Sequence, residues 1–99
     1  MRILLFRHAP AERRDEGLWP DDLARPLTTR GIQRARRSSR SIVRLEPGIT
    51  HVFSSGAERA DATASELVRA AGGELNVEVL SALAPGGSWR EGLRVLARH

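Results

Sequence analysis

Short apolar runs alternate with longer amphipathic segments along this sequence, and the alternation restricts the fold more than any other feature. The runs cover residues 3–6, 49–53 and 75–80, and each is predicted to form a strand. Because a predicted helix follows every predicted strand, the strands should lie parallel and be joined by right-handed crossovers. The order therefore predicts an α/β fold, a three-layer sandwich around a mainly parallel sheet.

The three amphipathic segments carry recognisable start and stop signals. The first helix should begin near Arg30, where Thr28 or Thr29 can act as the cap. The second should run to about Ala71, because a pair of glycines follows it. Ser88 can cap the third helix. These signals predict where each helix begins or ends without reference to tertiary contacts.

Length and composition limit the class of protein. The 99 residues suffice for one domain with a modest core, so residues 1–99 are assigned to a single domain. The absence of cysteine excludes disulfides, thiolate zinc sites and a cysteine nucleophile. No apolar run approaches the roughly 18 residues that a membrane span needs, and the first run is too short for a signal peptide. We expect a cytoplasmic protein with no membrane partner.

Two polar clusters follow directly after predicted strands, where parallel α/β sheets bind their ligands. Arg7 and His8 follow the first strand, and residues 54–59, whose serines can cap the next helix, follow the second. Arg59 should lie in the first helical turn, where free N–H groups favour an anion. Arginine binds phosphate oxygens as a bidentate fork, and a neutral histidine can carry a phosphoryl group covalently. From spacing alone, an ordinary half-exposed histidine at a strand end is the alternative interpretation.

Four blocks of the sequence, in order, resemble the histidine phosphatase superfamily, which has the phosphoglycerate-mutase-like fold. The blocks are 5–9 (LFRHA), 25–31 (RPLTTRG), 55–63 (SGAERADAT) and 83–87 (LAPGG). The first is similar to the family's Arg-His-Gly signature, and the second to the segment that opens the first helix in its SixA-type phosphohistidine phosphatases. The third and fourth resemble its Ser-Pro-x-x-Arg-Ala-x-Gln-Thr block and its Leu-x-Pro-x-Gly stretch.

The resemblance implies a phosphatase that acts through a phosphohistidine intermediate on a phosphohistidine protein or a small phosphoester. His8 would be the nucleophile, and Arg7 and Arg59 would bind the phosphoryl oxygens. Arg25 would be a further phosphate or substrate contact. Neither a metal nor an organic cofactor is expected, because the guanidinium groups supply the positive charge. The general acid stays open among the acidic residues of the long loop after His8, which are Glu12, Asp15, Glu16, Asp21 and Asp22.

Three residues depart from the family's pattern close to the predicted site. Ala9 stands where the signature has Gly, Gly56 where the second block has Pro, and Ala62 where it has Gln. The methyl group of Ala9 adds bulk where the backbone should approach phosphate, and Gly56 should loosen the turn before Arg59. None of these changes removes a residue that the resemblance assigns to chemistry.

The family's second histidine, which follows a fourth strand, has no clear counterpart here. His51 is expected at the opposite end of the second strand, and His99 ends a segment whose apolar spacing favours a helix. We therefore expect a domain that is incomplete at its C-terminus and ends after the third strand and the following helix. The first strand would then have an open apolar edge, which predicts a partner strand, most simply in a homodimer.

Two alternatives to a competent phosphatase stay open. One is a family member that binds phosphate through Arg7, His8 and Arg59 but turns over weakly or not at all. The other is a nucleic-acid-binding module that uses the arginine-rich helix 30–44. No aromatic residue interleaves with these arginines to stack on bases, so a nucleic-acid partner is not expected. If this chain is complete, or if a partner completes it, we expect it to be an enzyme.

Overall fold

The computed structural model describes residues 3–98 and has an α/β architecture, as predicted. Its helices and strands are α1 (Thr29–Leu45), β1 (Val52–Ser54), α2 (Glu58–Ala70), β2 (Val77–Val79) and α3 (Trp89–Leu96), with single 3-10 turns at Asp22–Ala24 and Ser81–Leu83. The two strands pair in parallel, with Val52 opposite Val77, and α2 forms the crossover between them. The parallel pairing of the second and third predicted strands is thus confirmed.

Two of the three predicted helix caps are confirmed. The Thr28 hydroxyl caps α1 and the Ser88 hydroxyl caps α3, each accepting a backbone N–H of the first turn. The predicted serine cap of α2 is wrong, because its N-cap is Ala57 and makes no side-chain bond. Ser55 instead accepts the N–H of Ala57, and Ser54 donates its hydroxyl to a carboxylate one turn into α2. The serines therefore shape the turn that precedes the helix.

The first two helices pack through a face of small side chains. Gly31, Ala35 and Ser39 are the buried residues of α1, and they recur every four residues, so they lie on one face. Small residues at these positions allow α2 to approach α1 closely. Beneath the helices, Val52, Ala64 and Leu67 form a buried apolar cluster that also contacts residues of both strands. This cluster ties the sheet to α2.

The N-terminal apolar run differs from the prediction of a buried strand. Residues 3–6 are not part of the two-stranded sheet, and Leu5 is 94% exposed. Phe6 does pack against the apolar cluster around Val52. The run borders a cleft of about 770 Å³ whose other walls include β1. A strand is buried only when neighbours cover it, and within residues 3–98 no strand pairs along the free edge of β1. The homodimer expected at the open edge of the first predicted strand stays a prediction.

No helix within the described residues is both long enough and apolar enough to cross a bilayer.

Candidate functional site

His8 lies half-buried at the start of the long loop, and one ring nitrogen is held by the backbone. Its Nδ1 atom lies 2.8 Å from the carbonyl oxygen of Ala9. Because a carbonyl oxygen can only accept, this bond places the proton of a neutral imidazole on Nδ1. Nε2 then keeps its lone pair, which is the state that a nucleophilic histidine requires.

A threonine in α2 joins the loop after His8 to the first turn of that helix. The N–H of Ala9 donates to Oγ1 of Thr63 (3.1 Å), and the same hydroxyl donates to the carbonyl oxygen of Arg59 (2.8 Å). Both contacts are buried. They bring the residues after the first apolar run and the residues after β1 to one place.

The Arg59 guanidinium is buried at the start of α2 and contacts the long loop. Its side chain is only 8% exposed. Nη1 donates to the carbonyl oxygen of Asp22 (2.7 Å), and Nη2 lies 3.2 Å from the Asp22 carboxylate. Two of its nitrogens are therefore directed at a single residue that lies 37 positions earlier in the chain. This is a bidentate arrangement of the kind that arginine also offers to phosphate.

Arg25 contacts the other oxygen of the same carboxylate. Its Nε lies 2.9 Å from Asp22 Oδ1, and its Nη1 donates to the carbonyl oxygen of Glu12 (2.7 Å). Arg14 adds a longer contact of 3.5 Å from Nε to Oδ1. The pKa of Asp22 is lowered mainly by the hydrogen bond from Arg25. Partial burial acts in the opposite direction and raises the pKa, whereas the positive charges of Arg25, Arg59 and Arg14 lower it further. Three arginines thus share one carboxylate and leave an excess of positive charge.

The loop after His8 is fixed against the segment that enters α1. Ala11 and Leu27 form an antiparallel bridge, and the N–H of Thr28 donates to the carbonyl oxygen of Pro10 (3.1 Å). Leu27 packs with Ala9 and Ala35 in a small buried cluster. The cap of α1 therefore lies beside the backbone that follows His8.

The structure joins the backbone after His8 to Arg59 and Arg25, but the His8 side chain itself lines the large cleft, whose lining residues include neither of these arginines. The network of hydrogen bonds through Thr63 and Asp22 connects the His8–Ala9 backbone with Arg59 and Arg25. Arg7 is exposed and lines the large cleft with His8, outside that network. These residues stay the predicted catalytic and phosphate-binding set.

His51, the candidate for a second histidine within residues 3–98, does not join the network. His51 is exposed just before β1, where its ring stacks on Phe53 and contacts the Thr50 hydroxyl. His99 lies outside the described residues. Within residues 3–98 no cluster of three or more His, Asp or Glu side chains is arranged to hold a metal ion.

The three departures from the family pattern have a structural explanation. The methyl group of Ala9 is buried in the cluster with Leu27, and Ala62 packs against that same cluster. Two of the changes therefore lie at one apolar cluster. Gly56 adopts a φ of 94°, which proline cannot reach because its ring fixes φ near −65°. The backbone conformation of the turn before α2 therefore favours glycine at position 56.

Two features of the site were not predicted from the sequence. Thr63 is part of the third block but has no role assigned from the sequence. Asp22 is one of five open candidates for the general acid, and nothing in the sequence marks it as the shared partner of three arginines. The spacing of Asp22 and Arg25, three residues apart on a 3-10 turn, is a signal that could have indicated their ion pair. No local signal connects either residue to Arg59.

Replacement of Asp22 by asparagine should raise the affinity for sulfate by about tenfold, because charge-assisted bonds to Arg25 and Arg59 would no longer compete with the anion. Isothermal titration calorimetry at low ionic strength measures this affinity. Asp21→Asn is the matched control: it removes the same charge one residue away, and asparagine can keep the cap on the N–H of Leu23. An unchanged or weaker sulfate affinity in Asp22→Asn would mean that the carboxylate orients the arginines instead.

The same carboxylate gives the fold an acid-dependent contact. Because the folded state lowers the Asp22 pKa below its ordinary value of 3.8, this contact stabilises the fold above that pH. The contribution should disappear as the pH falls through the lower, folded-state pKa. Unfolding by urea from pH 6 down to pH 2 should therefore show a smaller acid-dependent loss in Asp22→Asn than in the original chain. Equal acid-dependent losses of stability in the two proteins would show that the Asp22 carboxylate does not provide this contribution.

Comparison with known proteins gives three findings. Residues 3–92 match the family model of the histidine phosphatase superfamily, branch 1. The fold is similar to the crystal structure of a SixA protein from Agrobacterium tumefaciens, assigned as a phosphohistidine phosphatase, with a TM-score of 0.74 and 20% identity over 91% of this chain and 56% of that one. A SixA structure from Nakamurella multipartitia, with the same assignment, gives a TM-score of 0.68 and 30% identity. The similarity covers 94% of this chain and 48% of that one.

The chain thus spans about half the length of these two structures. No curated protein sequence shows a significant match to it.

Proposed function

The chain belongs to the histidine phosphatase superfamily, and on that premise we propose that it hydrolyses phosphorylated substrates through a covalent phosphohistidine on His8. The observation that carries the proposal is the bond between His8 Nδ1 and the Ala9 carbonyl, which leaves Nε2 free to attack. The excess of arginine charge around Asp22, which Thr63 links to the backbone after His8, supports the binding of a phosphoryl dianion.

The reaction would proceed in two displacements at phosphorus. His8 Nε2 attacks the phosphorus atom, and the bond to the leaving group breaks with its electron pair going to that group. Water then attacks the phosphohistidine, the P–N bond breaks, and its electrons return to Nε2 as inorganic phosphate forms. Arg59, Arg25 and Arg7 would stabilise the charge on the phosphoryl oxygens in both transition states.

The state of Asp22 bears on the choice of substrate. Its lowered pKa keeps the carboxylate charged at neutral pH, which argues against Asp22 as a general acid. A phosphohistidine substrate has a good leaving group and needs less help from an acid than an alkyl phosphate does. Together with the SixA assignment of the two similar structures, this favours a phosphohistidine protein as the substrate.

A second candidate function is phosphate binding with little or no turnover. The specific observation in its favour is that Asp22 occupies Nη1 and Nη2 of Arg59 and Nε of Arg25. An incoming phosphoryl group would have to replace at least the side-chain contacts. Binding of phosphate without hydrolysis would support this candidate.

Trapping of the phosphoenzyme tests the proposed function. The chain is mixed with an aryl phosphate or with a chemically phosphorylated histidine peptide, quenched in alkali and examined by intact-mass spectrometry. We expect one added phosphoryl group, mapped to His8, which is stable in base and lost in acid as a phosphoramidate should be. Release of the leaving group without a trapped intermediate at any time after mixing would contradict covalent catalysis by His8.

A further inference from the structure

Positive charge is concentrated on α1 to a degree that overall composition does not explain. This helix contains six arginines and neither Asp nor Glu. The net charge of the whole chain is only +4, so the residues outside α1 are net negative. An arginine bias spread evenly along the chain would not produce such a difference in net charge between α1 and the other residues.

Five of these arginines share the solvent side of the helix. Arg30, Arg34, Arg37, Arg40 and Arg44 are all exposed. At 3.6 residues per turn they fall within an arc of about 120°, opposite the small residues that pack on α2. The set extends for about 21 Å along the axis at 1.5 Å per residue. We call these five residues the arginine face.

Carboxylate partners distinguish the arginine face from most other arginines, because six of the ten others in residues 3–98 form ion pairs. Arg25 and Arg59 pair with Asp22, while Arg36 and Arg69 pair with Glu66. In the part of the chain that the structure describes, no ion pair joins a member of the arginine face to a carboxylate. Like charges held along one face repel one another, and an acidic partner would relieve that repulsion.

The arginine face begins beside the candidate site. Thr28, the cap of α1, bonds through its N–H to the carbonyl oxygen of Pro10, two residues after His8. Arg30 therefore lies within one helical turn of the loop that carries the nucleophile, and the rest of the face leads away from it. A macromolecule that presented a phosphoryl group at His8 would have its surface within reach of these guanidinium groups.

We propose that the arginine face binds an acidic surface of the phosphorylated protein whose phosphoryl group reacts at His8. The proposal rests on the proposed function and adds the chemistry by which a protein substrate is selected. A protein fits better than a nucleic acid because α1 carries no aromatic side chain that could stack on a base. Charge complementarity of this kind acts mainly on association rate and specificity, so it should appear in kcat/KM.

Reversal of three charges on the arginine face tests the proposal. The variant is Arg34→Glu/Arg37→Glu/Arg40→Glu, and glutamate has a helix propensity close to that of arginine. The control is Arg90→Glu/Arg94→Glu/Arg98→Glu, which makes the same change of net charge at exposed positions in and just after α3. Circular dichroism and thermal unfolding establish that both variants are folded.

Three substrates separate docking from chemistry. Two are synthetic peptides with a single phosphohistidine, one flanked by five glutamates and the other by five glutamines; the third is an aryl phosphate. The original chain should hydrolyse the glutamate peptide with a kcat/KM about tenfold or more above that of the glutamine peptide. This factor corresponds to several exposed charge pairs between the peptide and the arginine face. The arginine-face variant should lose this preference and keep its activity on the aryl phosphate, whereas the α3 control should keep both.

Three outcomes would overturn the proposal. If the original chain hydrolyses both peptides equally, no acidic surface is recognised. If the α3 control loses the preference as fully as the arginine-face variant, the preference depends only on net charge. Tighter binding of a 20-bp DNA duplex than of the unphosphorylated glutamate peptide at physiological salt would assign the face to nucleic acid. If no substrate is hydrolysed, the proposed function fails separately, and binding of the glutamate peptide by fluorescence anisotropy still decides the docking proposal.

Discussion

His8→Ala should lower the hydrolysis of an aryl phosphate by at least about a thousand-fold, because the covalent route through phosphohistidine disappears with the nucleophile. The arginine groups would remain, so the affinity for inorganic phosphate should change far less than the rate. Steady-state release of the aryl leaving group measures the first quantity, and calorimetric titration with phosphate measures the second. The expected signature is a loss of kcat with phosphate binding retained.

His51→Ala is the matched control for this experiment. It removes the same side chain from an exposed position before β1, where the ring contacts Thr50 and Phe53 but not the network around Arg59. We expect hydrolysis at the rate of the original chain. Equal rates in His8→Ala and the original chain would show that His8 is not the nucleophile, whereas loss of activity in both variants would indicate a general effect on folding.

Gly31→Ala should destabilise the fold by about 2 kcal/mol or more, which is the opposite of the effect of alanine in an ordinary helix. A Cβ atom at this position would lie 2.0 Å from the carbonyl oxygen and 3.0 Å from the carbonyl carbon of Pro10. Both are backbone atoms, so the overlap can be relieved only if the loop after His8 moves away from α1. Overpacking of this kind costs about 1–3 kcal/mol, and here the displaced contact also holds the cap of α1.

Gly92→Ala provides the comparison within the same chain. Gly92 is also a buried glycine inside a helix, but a Cβ atom there would meet only the Cβ of Ala82 at an ordinary 3.7 Å. We expect unchanged stability or a gain of about 0.5–1 kcal/mol from the higher helix propensity of alanine. Urea unfolding at neutral pH compares the two variants.

The position of Gly31 also relates this stability effect to the site. Because Pro10 follows His8 by two residues, movement of the loop in Gly31→Ala should weaken phosphate binding as well as stability. If Gly31→Ala proved as stable as Gly92→Ala, the close approach of α1 to the loop after His8 would be refuted.

Local sequence signals accounted for most of the helices. The hydroxyl of Thr28 and the apolar spacing that follows it define α1, and Ser88 defines the start of α3, because a cap and a helical turn involve residues at most four apart. The placement of Arg59 in the first turn of α2 follows from the same short-range logic. The order of elements was also sufficient to predict a parallel pair of strands.

Burial and the partners of the charged groups were decided by the tertiary structure. The run 3–6 has the composition of a buried strand, but Leu5 is exposed because no described strand lies next to it along β1. Asp22 and Arg59 are 37 residues apart, and their contact depends on where the loop lies over α2. The close approach between Gly31 and the loop after His8 likewise cannot be predicted from the sequence.

The sequence by itself therefore determined the family, the α/β class, the chain order of the elements and the candidate nucleophile, since these depend on local periodicity and on motifs of a few residues. Only the tertiary structure decided which carboxylate faces Arg25 and Arg59 and which nitrogen of His8 is held by the backbone. The physical reason is that electrostatic and packing partners are set by distance in space, and residues far apart in the chain acquire that distance only through folding.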